Sequence, residues 1–195
     1  MRETLRKFKV YLRVTGADSI SRRYFVMNSF DGALTMLGVI VGAWASGSLD
    51  PRVIIGIGLG ASLAMGVSGF SGAYMAERAE RKRRLNRLKR AMLTDLGNTM
   101  HGKASHFASV WTAAVDAISP FMAALISMLP FFLAAANLIP ASNAAIVSVI
   151  LIMSMIFSLG MFLGRISKEN MLLSGARTLA AGIITALITA LVAGI

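Results

Sequence analysis

Cysteine is missing from this 195-residue chain, which excludes disulfides, thiolate metal ligands and thiol nucleophiles at once. That absence leaves the compartment open. Charge is scarce as well: 15% of residues are Asp, Glu, Lys or Arg, against 56% that are hydrophobic. Histidine occurs twice, as His101 and His106, and residues five apart lie about 140° around a helix, a poor metal pair. No Ser/His/Asp arrangement, metal-hydrolase motif or phosphate-binding loop occurs, so no enzyme is expected. The glycines that open GIGLGASLAMGVSGFSGAYM mimic a dinucleotide fingerprint. That reading needs a strand-turn-helix context, which an unbroken apolar run cannot supply.

Long apolar runs are what the chain has instead. They cover 24–45, 53–75, 120–138 (reaching back through Ala113), 141–164 and 172–195. A helix needs roughly 20 apolar residues to cross a bilayer, and runs of this length cannot all hide in a soluble core. A secretory leader would be a short apolar run with a cleavage site after it; here the first 23 residues are basic and polar, and the first run is full length. The expected fold class is an all-α integral membrane protein with five transmembrane helices. Its segments are a basic N-terminal stretch (1–23), a first transmembrane hairpin (24–75), a basic helical loop (76–112) and three further spans (113–195). A prokaryotic cell membrane is the default location, or a vacuolar-type membrane in a eukaryote.

The net charge of +11 resolves once positions are read. Nineteen of the twenty Lys and Arg fall before the first span, between the second and third, or between the fourth and the opening turns of the fifth, where Arg177 lies; only Arg52 lies on the other side. Positively charged loops stay in the cytoplasm, which puts the N-terminus inside and the C-terminus outside. The same partition removes the case for nucleic-acid binding. Within the inner loop, AERAERKRRLNRLKRAML should continue the second span as a charged helix, Gly97 and Gly102 should break it, and SHFASVWTAAVDAI should form a second, amphipathic helix. This basic loop could set topology, lie against anionic lipid, where each Lys or Arg near the surface contributes ~1 kcal/mol, or bind a partner.

Asp31 stands out inside the first run, YFVMNSFDGALTMLGVIVGAWA. A carboxylate in hydrocarbon costs at least ~2.5 kcal/mol and is kept where it meets a partner, a cavity or an ion. Asn28 and Thr35 share its helix face, and Ser29 is close in sequence. Oxygen ligands of this kind suit hard divalent cations. Alternatively, Asp31 acts as a cap or pairs with Arg22, Arg23 or another polar group near the inner surface. Thirteen methionines are scattered through the chain; thioethers bind soft metals but also fill cores. Met65, on the neighbouring second span, is the one to consider as a ligand. Glu77, Glu80 and Asp116 lie near the inner mouth and could attract cations, although Glu77 and Glu80 also suit i,i+4 pairing with Arg81 and Arg84. Gly38 and Gly42, and Gly56 and Gly60, have the spacing for close helix packing. Pro130 should kink the third span.

RRYFVMNSFDGALTMLGVIVGA, with its Asp-Gly and glycine-containing apolar run, resembles the first span of the vacuolar iron transporter family. GVSGFSGAYMAERAE is similar to the end of that family's second span, ALISMLPFF to its third-span proline segment, and SLGMFLGRIS with LLSGARTLAAGIITALITALVAGI to its last two. The resemblance implies a homodimer whose first two spans enclose an ion path, with a divalent metal such as iron or manganese exchanged against protons. Asp31 matches the family's pathway aspartate, and Met65, one turn from the place of the family's Met, would substitute for its thioether. No permanently bound cofactor is implied, the metal being the substrate. This chain departs from the pattern at Gly69, where relatives carry Met, at Ala61, where they carry Glu, and in a loop that is basic instead of acidic. It reads as a diverged prokaryotic-type member. A member moving protons or another solute, and a scaffold holding anionic lipid, are the alternatives.

Overall fold

A computed structural model describes residues 15–93 and 99–194. The basic residues before Thr15 and the expected break at Gly97 lie outside the described residues. Among the described residues five helices follow one another: α1 (Ala17–Ala45), α2 (Pro51–Met92), α3 (Met100–Ala135), α4 (Ala141–Ser167) and α5 (Met171–Ala193). Each is long and apolar enough to cross a membrane. Large apolar side chains such as Val67 and Leu191 stand 71% and 70% exposed. Such surface suits lipid, where backbone groups are satisfied within the helices themselves.

Helix ends are set by local chemistry. Gly47 (φ 71°), Asn137 (φ 60°) and Lys168 (φ 59°) adopt the left-handed conformation just after α1, α3 and α4. Ser48, Leu138 and Glu169 donate their N–H groups back to Ala43, Leu133 and Gly164 at 2.9, 3.0 and 3.0 Å, the wide bond that closes a helix C-terminus. The third span therefore stops at Ala135 and not at Leu138. Asp50 caps α2 by accepting from Arg52 and Val53, and Asn170 caps α5 through Leu172 and Leu173, each satisfying N–H groups left over at a helix start.

Two expectations for the basic loop change. Gly102 does not break a helix, because α3 runs from Met100 straight into the span. An internal glycine costs about 1 kcal/mol relative to alanine, and the buried row Ala104, Ala108, Thr112 and Asp116 supplies the packing that offsets it. The amphipathic segment and the third span are consequently one helix, which also continues through Pro120 and Pro130.

The chain divides into two compact units. One comprises Met1–Phe25, described from Thr15, with Gly66–Ile118; the other comprises Val26–Met65 with Ser119–Ile195. The second unit holds the apolar core. Ala33, Met36, Leu37 and Ile40 of α1 form a stripe at helical spacing, packed with Ile54, Ala124, Met128, Phe131, Ile152 and Ile156. Close approach depends on missing side chains at two places. A Cβ on Gly32 would stand 2.5 Å from the Pro120 carbonyl oxygen, and one on Gly58 would collide with the sulfurs of Met36 and Met128. Between α4 and α5, Thr178 donates its hydroxyl to the Ile156 carbonyl at 3.1 Å.

Candidate ion site

Asp31 sits in the middle of α1 with Gly32 beside it, so α3 can press against the backbone next to the acid. The helix has two unlike faces here. Ser29, Ala33, Met36 and Leu37 point into the protein, whereas Met27 and Asp31 are exposed. Asn28 is half-buried between the two faces and has an interaction of its own. The structure therefore separates Ser29 from the face that bears Asp31, as expected for residues 200° apart around a helix.

The sequence also offered Arg22 or Arg23 as partners for Asp31. Arg22 instead pairs with Asp18 at 3.0 Å, and the Arg23 guanidinium lies 5.7 Å from the centre of the Tyr24 ring. Among the described residues no hydrogen bond or ion pair reaches the Asp31 carboxylate. One turn further on, the Thr35 hydroxyl donates to the Met65 sulfur at 3.7 Å. That contact puts the Met65 thioether beside the α1 face to which Asp31 and Thr35 belong. Its geometry was out of reach of sequence spacing, since the two residues are 30 apart. Along α2, Gly56, Gly60 and Ala64 repeat every fourth residue and are exposed; nothing stands within 4 Å of a Cβ built on either glycine.

The three inner-mouth acids belong to the other unit and have different surroundings. Arg81 lies 3.0 Å from Glu77, and both side chains are nearly enclosed, at 8% and 12% exposure. Arg81 also donates to the Thr15 carbonyl at 3.3 Å, and the Tyr24 hydroxyl donates to Glu77 at 3.5 Å. Glu80 pairs with Arg84 at 3.2 Å in the open. Both i,i+4 pairs read from the sequence are thus present. Asp116 is buried, and its carboxylate rests on the α2 backbone, where a Cβ on Gly69 would stand 2.6 Å from Oδ2. Gly69 makes room for that acid. The i,i+4 spacing on α2 points to Arg81 as the partner of Glu77, whereas nothing in the sequence points to Tyr24, 53 residues away on α1. No group of three or more His, Asp or Glu able to hold a metal occurs among the described residues.

Comparison with known proteins places these features in context. The sequence profile of the VIT family matches residues 82–194. An uncharacterized protein of the archaeon Methanocaldococcus jannaschii is 31% identical over 170 residues, which cover 85% of this chain and 85% of that protein.

Proposed function

Because the chain belongs to the VIT family, a family of membrane transporters of metal ions, we propose that it moves divalent cations of the iron or manganese type in exchange for protons. It would act as a homodimer whose α1 and α2 faces enclose the path. One observation carries this reading: Asp31 is an exposed carboxylate on a membrane-spanning helix with no partner among the described residues. An acid left in hydrocarbon costs at least ~2.5 kcal/mol, so such residues face the interior of a bundle or a water-filled cavity. A second copy supplies that interior. An isologous interface brings the same patch together twice, and the exposed Gly56, Gly60 and Ala64 permit close helix approach.

Two-fold symmetry also answers the shortage of ligands within one protomer. Two copies of Asp31 and of Met65 give a mixed oxygen and thioether set, to which Asn28 adds a further oxygen; Ser29, turned into the protein, is left out of it. Carboxylate oxygen suits manganese, and thioether sulfur leans toward softer metals. Asp116 is the buried acid of the inner mouth in this reading; Glu77 and Glu80 already hold arginines. In this reading the N-terminus is cytoplasmic, which the partition of basic residues supports.

The test is flux in proteoliposomes loaded with a metal-sensitive and a pH-sensitive dye. Manganese entry should be accompanied by proton movement in the opposite direction. Asp31→Asn should reduce both to background while cross-linking still traps a dimer. Full flux in Asp31→Asn, or proton or solute movement that needs no metal, would overturn the proposal. Silence of the wild type under every gradient would favour the lipid-binding scaffold.

A further inference from the structure

Past the last apolar turn of its span, α2 continues without a break to Met92. Lys82, Arg83, Asn86, Arg87 and Arg90 are all exposed on this extension. At 100° per residue they fall within an arc of about 140°, on the side away from the buried Arg81. The acids within reach are engaged elsewhere, Glu77 by Arg81 and Glu80 by Arg84, and the four cations of the stripe have no ion pair among the described residues.

Height decides which anion this stripe can meet. With the span ending near Met75, the rise of 1.5 Å per residue puts Arg78 about 5 Å past the hydrocarbon edge, Lys82 about 10 Å, Arg87 about 18 Å and Arg90 about 22 Å. Headgroups occupy only about 5–7 Å on each side, and the Debye length at physiological salt is about 8 Å. Arg78 stands among headgroups, whereas Arg87 and Arg90 are out of their reach. The chemistry of the stripe narrows the choice further. It carries no exposed aromatic or large apolar anchor of the kind a protein interface is built around. It also lacks an aromatic platform on which single-stranded bases would stack. A row of cations, most of them arginines, fits a ligand that brings charge and phosphate oxygens and can bend along the helix.

We propose that this face of α2 is a docking surface for a flexible phosphate chain free in solution, of the linear polyphosphate type. Binding needs neither metal nor flux, so it stands or falls separately from the transport reading. Full-length protein in metal-free phosphatidylcholine nanodiscs, which leave both faces open, is titrated with end-labelled linear polyphosphate. Release of four counterions, at a slope of about −0.7 each, weakens binding about fiftyfold between about 50 and 200 mM salt. The fourfold variant Lys82→Gln/Arg83→Gln/Arg87→Gln/Arg90→Gln should lose the binding and the salt slope, with flux and melting temperature unchanged. Arg87→Gln/Arg90→Gln alone should halve the slope, and this pair carries the test if the fourfold variant fails to fold. No binding by the wild type, or an affinity untouched in Arg87→Gln/Arg90→Gln, overturns the proposal. Loss of polyphosphate binding when phosphatidylglycerol is mixed into the disc also overturns it, since the stripe would then lie on lipid. Tighter stripe-dependent binding of single-stranded RNA of equal charge would make nucleic acid the partner and overturn it as well.

Discussion

Glu77 is enclosed by Arg81 at 3.0 Å and by the Tyr24 hydroxyl at 3.5 Å, whereas Asp31 faces outward from α1 with no such company among the described residues. Both acids are in helices long enough to cross a membrane. The first has its charge answered inside the protomer and behaves as part of the structure. The second has no such answer among the described residues. Burial therefore marks the acid whose charge is satisfied, and exposure the one whose charge has no partner among the described residues.

Neutralising each acid in turn is the strongest way to break this contrast. Asp31→Asn should cost all measurable metal flux yet shift stability by no more than about 0.5 kcal/mol, as for an exposed position away from packing. Glu77→Gln leaves Arg81 enclosed without its counter-charge and should lose about 3–5 kcal/mol in thermal unfolding, with flux per folded molecule retained. Replacing both partners, as Glu77→Leu/Arg81→Met, should recover most of that loss, because the penalty is that of an unanswered charge. If Asp31→Asn melts as low as Glu77→Gln, the two acids are alike and the distinction fails.

A smaller effect sharpens the same contrast at two glycines of α2. A methyl group on Gly69 would stand 2.6 Å from Asp116 Oδ2, while nothing lies within 4 Å of one on Gly60. Gly69→Ala should destabilise by about 1–3 kcal/mol, the usual cost of overpacking, and adding Asp116→Ala should relieve it. Gly60→Ala should leave the isolated protomer's melting temperature unchanged or slightly raised, and should weaken self-association measured in detergent. A Gly60→Ala protein that dimerises like the wild type would remove this face of α2 from the interface.

Much of this was legible in the sequence, for physical reasons that can be named. A bilayer imposes a length on apolar runs, so the five helices could be read off directly. The i,i+4 spacing of Glu77 with Arg81, and of Glu80 with Arg84, fixed which charges meet on one helix. What stayed hidden depends on contacts between helices. Tyr24 and Glu77 are 53 residues apart, and Asp116 meets Gly69 only because two helices approach where one lacks a side chain. Gly102 was misread as a break because a glycine's local cost is visible in sequence, while the buried face that outweighs it is not. The end of α3 at Ala135 depended on Asn137 taking a left-handed conformation, which an apolar run extending to Leu138 conceals.

The mildest prediction isolates burial from spacing. Glu80 and Arg84 repeat the geometry of Glu77 and Arg81 one turn along α2, with the acid again four residues before the arginine and a contact of 3.2 Å instead of 3.0 Å. Their side chains are 51% and 64% exposed, so water already solvates both charges and salt screens what remains. Glu80→Ala should cost no more than about 0.5 kcal/mol, the ordinary worth of an exposed helical pair, and that loss should vanish at high salt. Thermal unfolding of Glu80→Ala beside Glu77→Gln, at low and high ionic strength, measures the difference. Equal losses at the two positions would mean that spacing alone sets the energy of these pairs, and the enclosure of Glu77 by Tyr24 and Arg81 would then have no consequence for stability.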